Sequence, residues 1–131
     1  MPQLQNLVLT DRAATPVAHT FVPRDIDKGV ATVVETSGVP IGENKVTLSL
    51  RRVGARMKGR LVLTVPVVQT ETINGVANPK VVRSAIVSAD VVFDVTSTEQ
   101  ERKDAIGMFM TAFDPSKVLV NDTFVKLQNV Y

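Results

Sequence analysis

The chain has no cysteine and no tryptophan, one tyrosine (Tyr131) and one histidine (His19). Without cysteine, disulfides and cysteine-ligated zinc are excluded. A single imidazole, with no second histidine to join it, is a poor start for a metal site or a triad, so His19 reads as structural. Neither a Walker loop nor a Gly-x-Ser-x-Gly turn occurs. Glu99, Glu101 and Asp104 fall where a helix start favours negative charge, not where paired carboxylates would do acid catalysis. The expectation is a non-enzyme with no catalytic residues, no metal and no cofactor. Aromatic residues make up 5% of the chain, so the core must be aliphatic, and base stacking cannot be a main resource of any binding surface. No signal-peptide pattern is present, and no apolar run nears the roughly 18 residues that a bilayer span needs. The expectation is a soluble protein made in a cytoplasm, without membrane contact. Met1 precedes Pro2, which predicts a mature chain beginning at Pro2. Excess charge is scarce too: the net is +2, too little to attract a polyanion from afar, so any such attraction must be local.

What is present is concentrated in Asn44–Arg52. Read with period two, Lys45, Thr47, Ser49 and Arg51 share one face and Val46, Leu48 and Leu50 the other, the pattern of a strand with one side buried. Arg51, Arg52, Arg56, Lys58 and Arg60 crowd into ten positions. The next strand puts Leu61, Leu63 and Val65 on one parity and Arg60, Val62 and Thr64 on the other. Cations and small hydroxyls then furnish one surface. Cations neutralise phosphates, and hydroxyls both donate to and accept from splayed bases, so the surface suits RNA. An ordinary solvated sheet face is the alternative, since threonine is a good strand former anyway.

At 131 residues one domain is predicted, spanning 1–131. An N-terminal hairpin, 1–24, comprises Leu7–Thr10 and Val17–Val22 and ends at Pro23. After a polar connection, Asp25–Gly29, an antiparallel sheet over 28–95 begins with Val30–Glu35, closed by a turn over Ser37–Gly42. Pro66 is expected to interrupt the second basic strand, leaving 67–80 as a projecting loop with the Asn74–Gly75 turn signal. Val81–Asp94 is the last strand, with Val87, Ala89, Val91 and Phe93 inward and Ser84, Ile86, Ser88 and Asp90 outward. Two helices over 98–128 follow. Thr98 with Glu101 makes a capping box, Ile106, Phe109, Met110 and Phe113 form an apolar stripe for core or dimer packing, and Asp114–Pro115–Ser116 breaks the helix and can cap a second with Val120, Phe124 and Leu127. The class is α+β. Two short helices are modest cover for such a sheet, and the last strand leaves an open edge, so pairing with a second copy is predicted.

Several stretches together resemble the coat proteins of the small single-stranded RNA bacteriophages, the leviviruses. They are Leu4–Leu9, Thr20–Ile26, Lys45–Arg51, Val65–Thr70, Gly75–Pro79, Arg83–Ser84, Ser97–Arg102 and Leu127–Tyr131, spread over essentially the whole chain. The resemblance implies an intertwined homodimer in which two five-stranded sheets make a ten-stranded one, helices outward and sheet facing inward. Dimers would build an icosahedral, T=3-like virion shell around the single-stranded RNA genome, assembled in the host cytoplasm. The sheet face would bind an operator hairpin and repress replicase translation, and the phage maturation protein would be a further partner. Carried over by position, the RNA-facing set is Val30, Lys45, Thr47, Ser49, Arg51, Lys58, Arg60, Val62, Thr64, Ile86, Ser88 and Asp90. Three positions depart from the family pattern: Ile86 stands where a stacking tyrosine is usual, Val62 for a lysine and Arg60 for a threonine. A symmetry-contact loop would carry Thr70, Thr72, Asn74, Gly75, Asn78 and Pro79, with access to a cis bond at Asn78–Pro79. The alternatives are a dimeric RNA-binding translational regulator that forms no shell, and a shell protein without hairpin specificity.

Overall fold

A computed structural model describes residues 2–36 and 40–131; the first half of the turn expected over 37–42 lies outside them. Residues up to Val92 form one compact unit and Phe93–Tyr131 a second. In the first, six strands run in sequence order across a single sheet: β1 (Leu7–Thr10), β2 (Ala18–Asp27), β3 (Val30–Glu35), β4 (Asn44–Val53), β5 (Arg56–Ile73) and β6 (Val76–Asp94). The pairings from β1 to β5 are antiparallel.

Both proline expectations are overturned. Pro23 does not end a separate hairpin. β2 passes through it with a register shift between Pro23 and Asp25, pairing β1 by its first half and β3 by its second, because a bulge tolerates the missing N–H. The supposed connection Asp25–Gly29 is strand up to Asp27, closed by Lys28–Gly29. Both turn residues are left-handed (φ 51° and 81°), the geometry of a tight two-residue hairpin. Pro66 likewise leaves β5 intact. It lies two residues past the last β4–β5 pair, Lys45↔Thr64, where no ladder to β4 needs its N–H. Residues 67–80 are therefore a ribbon of paired strands, not a loop, reversing at Asn74–Gly75 (φ 52° and 80°).

The buried cluster on the apolar side of the sheet is small: Phe21, Val33 and Val46, with Leu4, Leu9 and Leu63 packed on it. Register explains its place, since Val33, Val46 and Leu63 are successive cross-strand partners. Farther along that face Leu48, Leu50 and Leu61 are exposed, Leu50 by 64%. The apolar side of the sheet is thus sealed at one end only. At Gly59, opposite Leu50, an added Cβ would lie 2.7 Å from Val91 Cγ2 of β6.

His19 fastens the first hairpin to the middle of the sheet. Its Nε2 lies 2.7 Å from Asp11 Oδ2 and its Nδ1 2.6 Å from Glu35 Oε2. Asp11 Oδ1 also accepts the N–H groups of Ala13 and Val17, and Glu35 Oε1 accepts Asn44 Nδ2. An imidazolium can donate to both carboxylates at once; the neutral ring can donate to only one. The hydrogen bonds to Asp11 and then Glu35 raise the His19 pKa above its ordinary 6.5, and the bond from His19 is the main cause that lowers Asp11 to about 2. The His19 contribution to stability is therefore complete below pH 6.5 and fades as pH climbs through the raised value. The Asp11 contribution is complete above 3.8 and fades as pH falls toward about 2. The melting-temperature gap between the wild type and His19→Gln should be widest between about pH 4 and 6 and should narrow as pH rises through the raised His19 value. A gap independent of pH would contradict this linkage.

In the second unit, α1 (Glu99–Ala112) starts at the expected capping box. Glu101 N donates to Thr98 Oγ1 at 3.2 Å, and Thr98 N donates to Glu101 Oε2 at 3.3 Å. The break at Asp114–Ser116 is present too. However, α2 (Val118–Phe124) has Lys117 at its N-cap without a side-chain bond, so Ser116 does not cap it. Leu127 falls beyond its end with φ 57° and extends no helical stripe. Phe113 packs edge-on against Phe109 and stacks with Phe124 at 6.2 Å. Even so, neither helix has a buried residue; Phe109 and Met110 are more than half exposed.

Candidate nucleic-acid interface

Directly paired residues in an antiparallel ladder point to the same side, so register assigns the face. One row across β3, β4 and β5 reads Val30, Ser49, Arg60. The next inward is Thr32, Thr47, Val62, followed by Val34, Lys45, Thr64. Toward the β4–β5 turn lies Arg51 beside Lys58. Arg60 Nε is 3.8 Å from Asp90 Oδ1, which brings β6 to the same side, and strand alternation places Ile86 and Ser88 on Asp90's side of β6. The predicted residues from β3 to β5, together with Asp90, are thus gathered on one face.

Two features were not visible from composition. The basic cluster is divided: Arg52 pairs with Met57 on the opposite parity and donates Nε to Gly54 O at 3.0 Å, so it does not join Arg51. The face is also not wet throughout, because Thr32 and Val34 are buried. Its polar part lies over β4 and β5, where Lys45, Arg51, Lys58 and Arg60 are exposed and Thr47 and Ser49 half-buried.

An open depression of about 850 Å³ occupies this part, bounded by Thr47, Ser49, Arg51, Lys58, Arg60 and Asp90, with room for a splayed nucleotide. Lys28 and Gly29 also border it. Neither residue is among those expected from sequence, although Lys28–Gly29 immediately before Val30 is a turn signal that places a cation beside the Val30 row. Electrostatically the depression is one-sided. Among the described residues, Lys28, Arg51 and Lys58 on its lining have no carboxylate partner, nor has Lys45 farther along the same face, while the Arg60–Asp90 pair is long and exposed and contributes little. Such a surface can neutralise phosphates with cations and offer hydroxyls to bases. No group of three or more acidic, histidine or cysteine side chains placed to hold a metal occurs among the described residues.

The predicted symmetry-contact residues take a different position. Thr70, Thr72, Asn74, Gly75, Asn78 and Pro79 lie on the far part of the β5–β6 ribbon, all exposed, and the Asn78–Pro79 bond is trans.

The levivirus coat protein family model matches residues 2–131. The capsid protein of Pseudomonas phage PRR1 is 53% identical over 130 residues, which cover 98% of this chain and 99% of that one. Among solved structures, the virus-like particle of bacteriophage ESE058 aligns with a TM-score of 0.85 and 24% identity over 99% of this chain and 100% of its own. An unassembled virus coat protein dimer, described as a bacteriophage RNA-binding dimer, aligns with a TM-score of 0.63 and 21% identity over 98% of each chain. These structures share the fold, and the family match spans nearly every residue: the chain belongs to the levivirus coat protein family.

Proposed function

We infer that this chain is the structural coat protein of an RNA phage, assembling as dimers into an icosahedral shell and holding the single-stranded genome against its sheet. The in-register gathering of unpaired cations and hydroxyls on one face carries the RNA part of the reading. Self-association is supported by what a single copy leaves open: Leu48, Leu50 and Leu61 bare on the sheet, Phe109 and Met110 bare on α1, and β6 at the sheet's edge. Exposed apolar area of that kind is worth about 25 cal/mol per Å² when covered, and an edge strand invites pairing. The RNA-binding dimer among the structural neighbours agrees with both.

In this reading, Val30, Lys45, Thr47, Ser49, Arg51, Lys58, Arg60, Val62, Thr64, Ile86, Ser88 and Asp90 face RNA. An operator hairpin at the replicase start is the specific ligand, and the maturation protein a further partner in the virion. Assembly takes place in the host cytoplasm. The ribbon tip at Asn74–Gly75 makes the contacts around the symmetry axes. The purified protein should form closed particles in electron micrographs and yield a hairpin-bearing RNA on extraction. A stable dimer as the endpoint would favour the regulator that builds no shell. Equal affinity for unrelated RNAs at physiological salt would favour a shell protein without hairpin specificity.

A further inference from the structure

We propose that Lys28 is an additional RNA-contacting residue, a phosphate ligand that acts with Arg51 and Lys58 to hold RNA irrespective of its sequence. The inference rests on the RNA-binding reading of the sheet face and adds a residue that the family pattern did not supply.

Four observations carry it. Lys28 borders the same depression as Ser49, Arg51, Lys58 and Arg60. It sits in a two-residue turn closed by the Asp27↔Val30 pair, so its backbone is fixed at the rim by the ladder on either side. Its φ of 51° belongs to the region where glycine or asparagine is the favoured choice, yet a long cation occupies it. Finally, Lys28, Arg51 and Lys58 have no carboxylate partner among the described residues, so three like charges around one concavity repel one another until a polyanion arrives.

The depression is thus graded. Hydroxyls of Thr47 and Ser49 lie within it, where they can reach a base. Lys28, Arg51 and Lys58 stand where a backbone would enter or leave. Lysine presents a compact charge without the planar fork that reads base edges, so its contribution should not depend on sequence.

The test compares wild type, Lys28→Asn and Lys28→Arg in binding to the RNA hairpin recovered from particles and to an unrelated hairpin of equal length, over a salt series. Asparagine tolerates the left-handed backbone, so that variant should keep the turn, which circular dichroism and sizing would verify. The expected result is a loss of roughly three- to tenfold on both RNAs alike, with the log–log salt slope shallower by about one for Lys28→Asn and unchanged for Lys28→Arg. An unaltered slope and affinity in Lys28→Asn would overturn the proposal while leaving the RNA face standing. Loss on one hairpin only would overturn the sequence-independent role. Absence of RNA binding by the wild type would instead remove the functional reading, and this inference with it.

Discussion

Arg51→Glu should lower RNA affinity by at least about tenfold near 0.1 M salt, with no change in the size of the assembled dimer. The substitution does more than remove one cation. Arg51 lies directly across from Lys58, at the separation where opposite charges on neighbouring strands attract. A glutamate there would draw Lys58 into an ion pair and withdraw a second positive charge from the depression. Arg51 is exposed, so folding should be little affected. The matching control is Arg52→Glu: one residue along the strand, it points to the opposite side and should leave RNA affinity within about twofold. Anisotropy titrations of both variants against one hairpin decide the matter. Equal losses would mean that net charge alone matters, and no loss at Arg51 would remove the proposed face.

Phe21→Ala should be the most destabilising single change, costing about 3–5 kcal/mol. Phe21 is 3% exposed and is the only aromatic residue in the buried cluster. It lies on β2 beside Val33 and Val46 and receives Leu4 and Leu9 from the N-terminal segment. A cavity here would loosen β1 from the sheet as well as lose buried area. Typical domains have only about 5–15 kcal/mol in total, and this chain's own core is a few side chains, so little reserve remains. Urea midpoints of the dimer, with the m-value compared, measure the effect. A loss below about 1 kcal/mol would mean that the cluster is not what holds the first hairpin in place.

The face of β4 and β5 was legible because period two leaves no ambiguity once both strands are placed: Lys45, Thr47, Ser49 and Arg51 could only fall together. The Thr98–Glu101 capping box was legible because it is local, four residues whose geometry needs no partner. What could not be read depended on register. The partners of His19 lie 8 and 16 residues away, and only the β1–β2 and β2–β3 alignments bring Asp11 and Glu35 to its two ring nitrogens. The prolines misled for a related reason. Pro23 and Pro66 end strands only where a neighbour needs their N–H, and whether a neighbour stands there is a property of the sheet, not of the local sequence. The helix α1 was legible in sequence, but Ile106, Phe109, Met110 and Phe113 all remain exposed, because an apolar stripe marks what needs cover without naming what supplies it.

β4 accompanies β5 only as far as Thr64, so among the described residues Val65–Ile73 have β6 as their one strand neighbour, about nine residues or roughly 30 Å at ordinary strand rise. A strip two strands wide has no third strand to stiffen it against torsion, and twist per residue varies most in such strips. It can therefore act as a compliant arm: its tip can tilt by many degrees while each cross-strand bond stretches only slightly. A shell that asks identical molecules to meet at unequal angles could draw that tolerance from elastic deformation of the arm, leaving the floor of β4 and β5 unmoved.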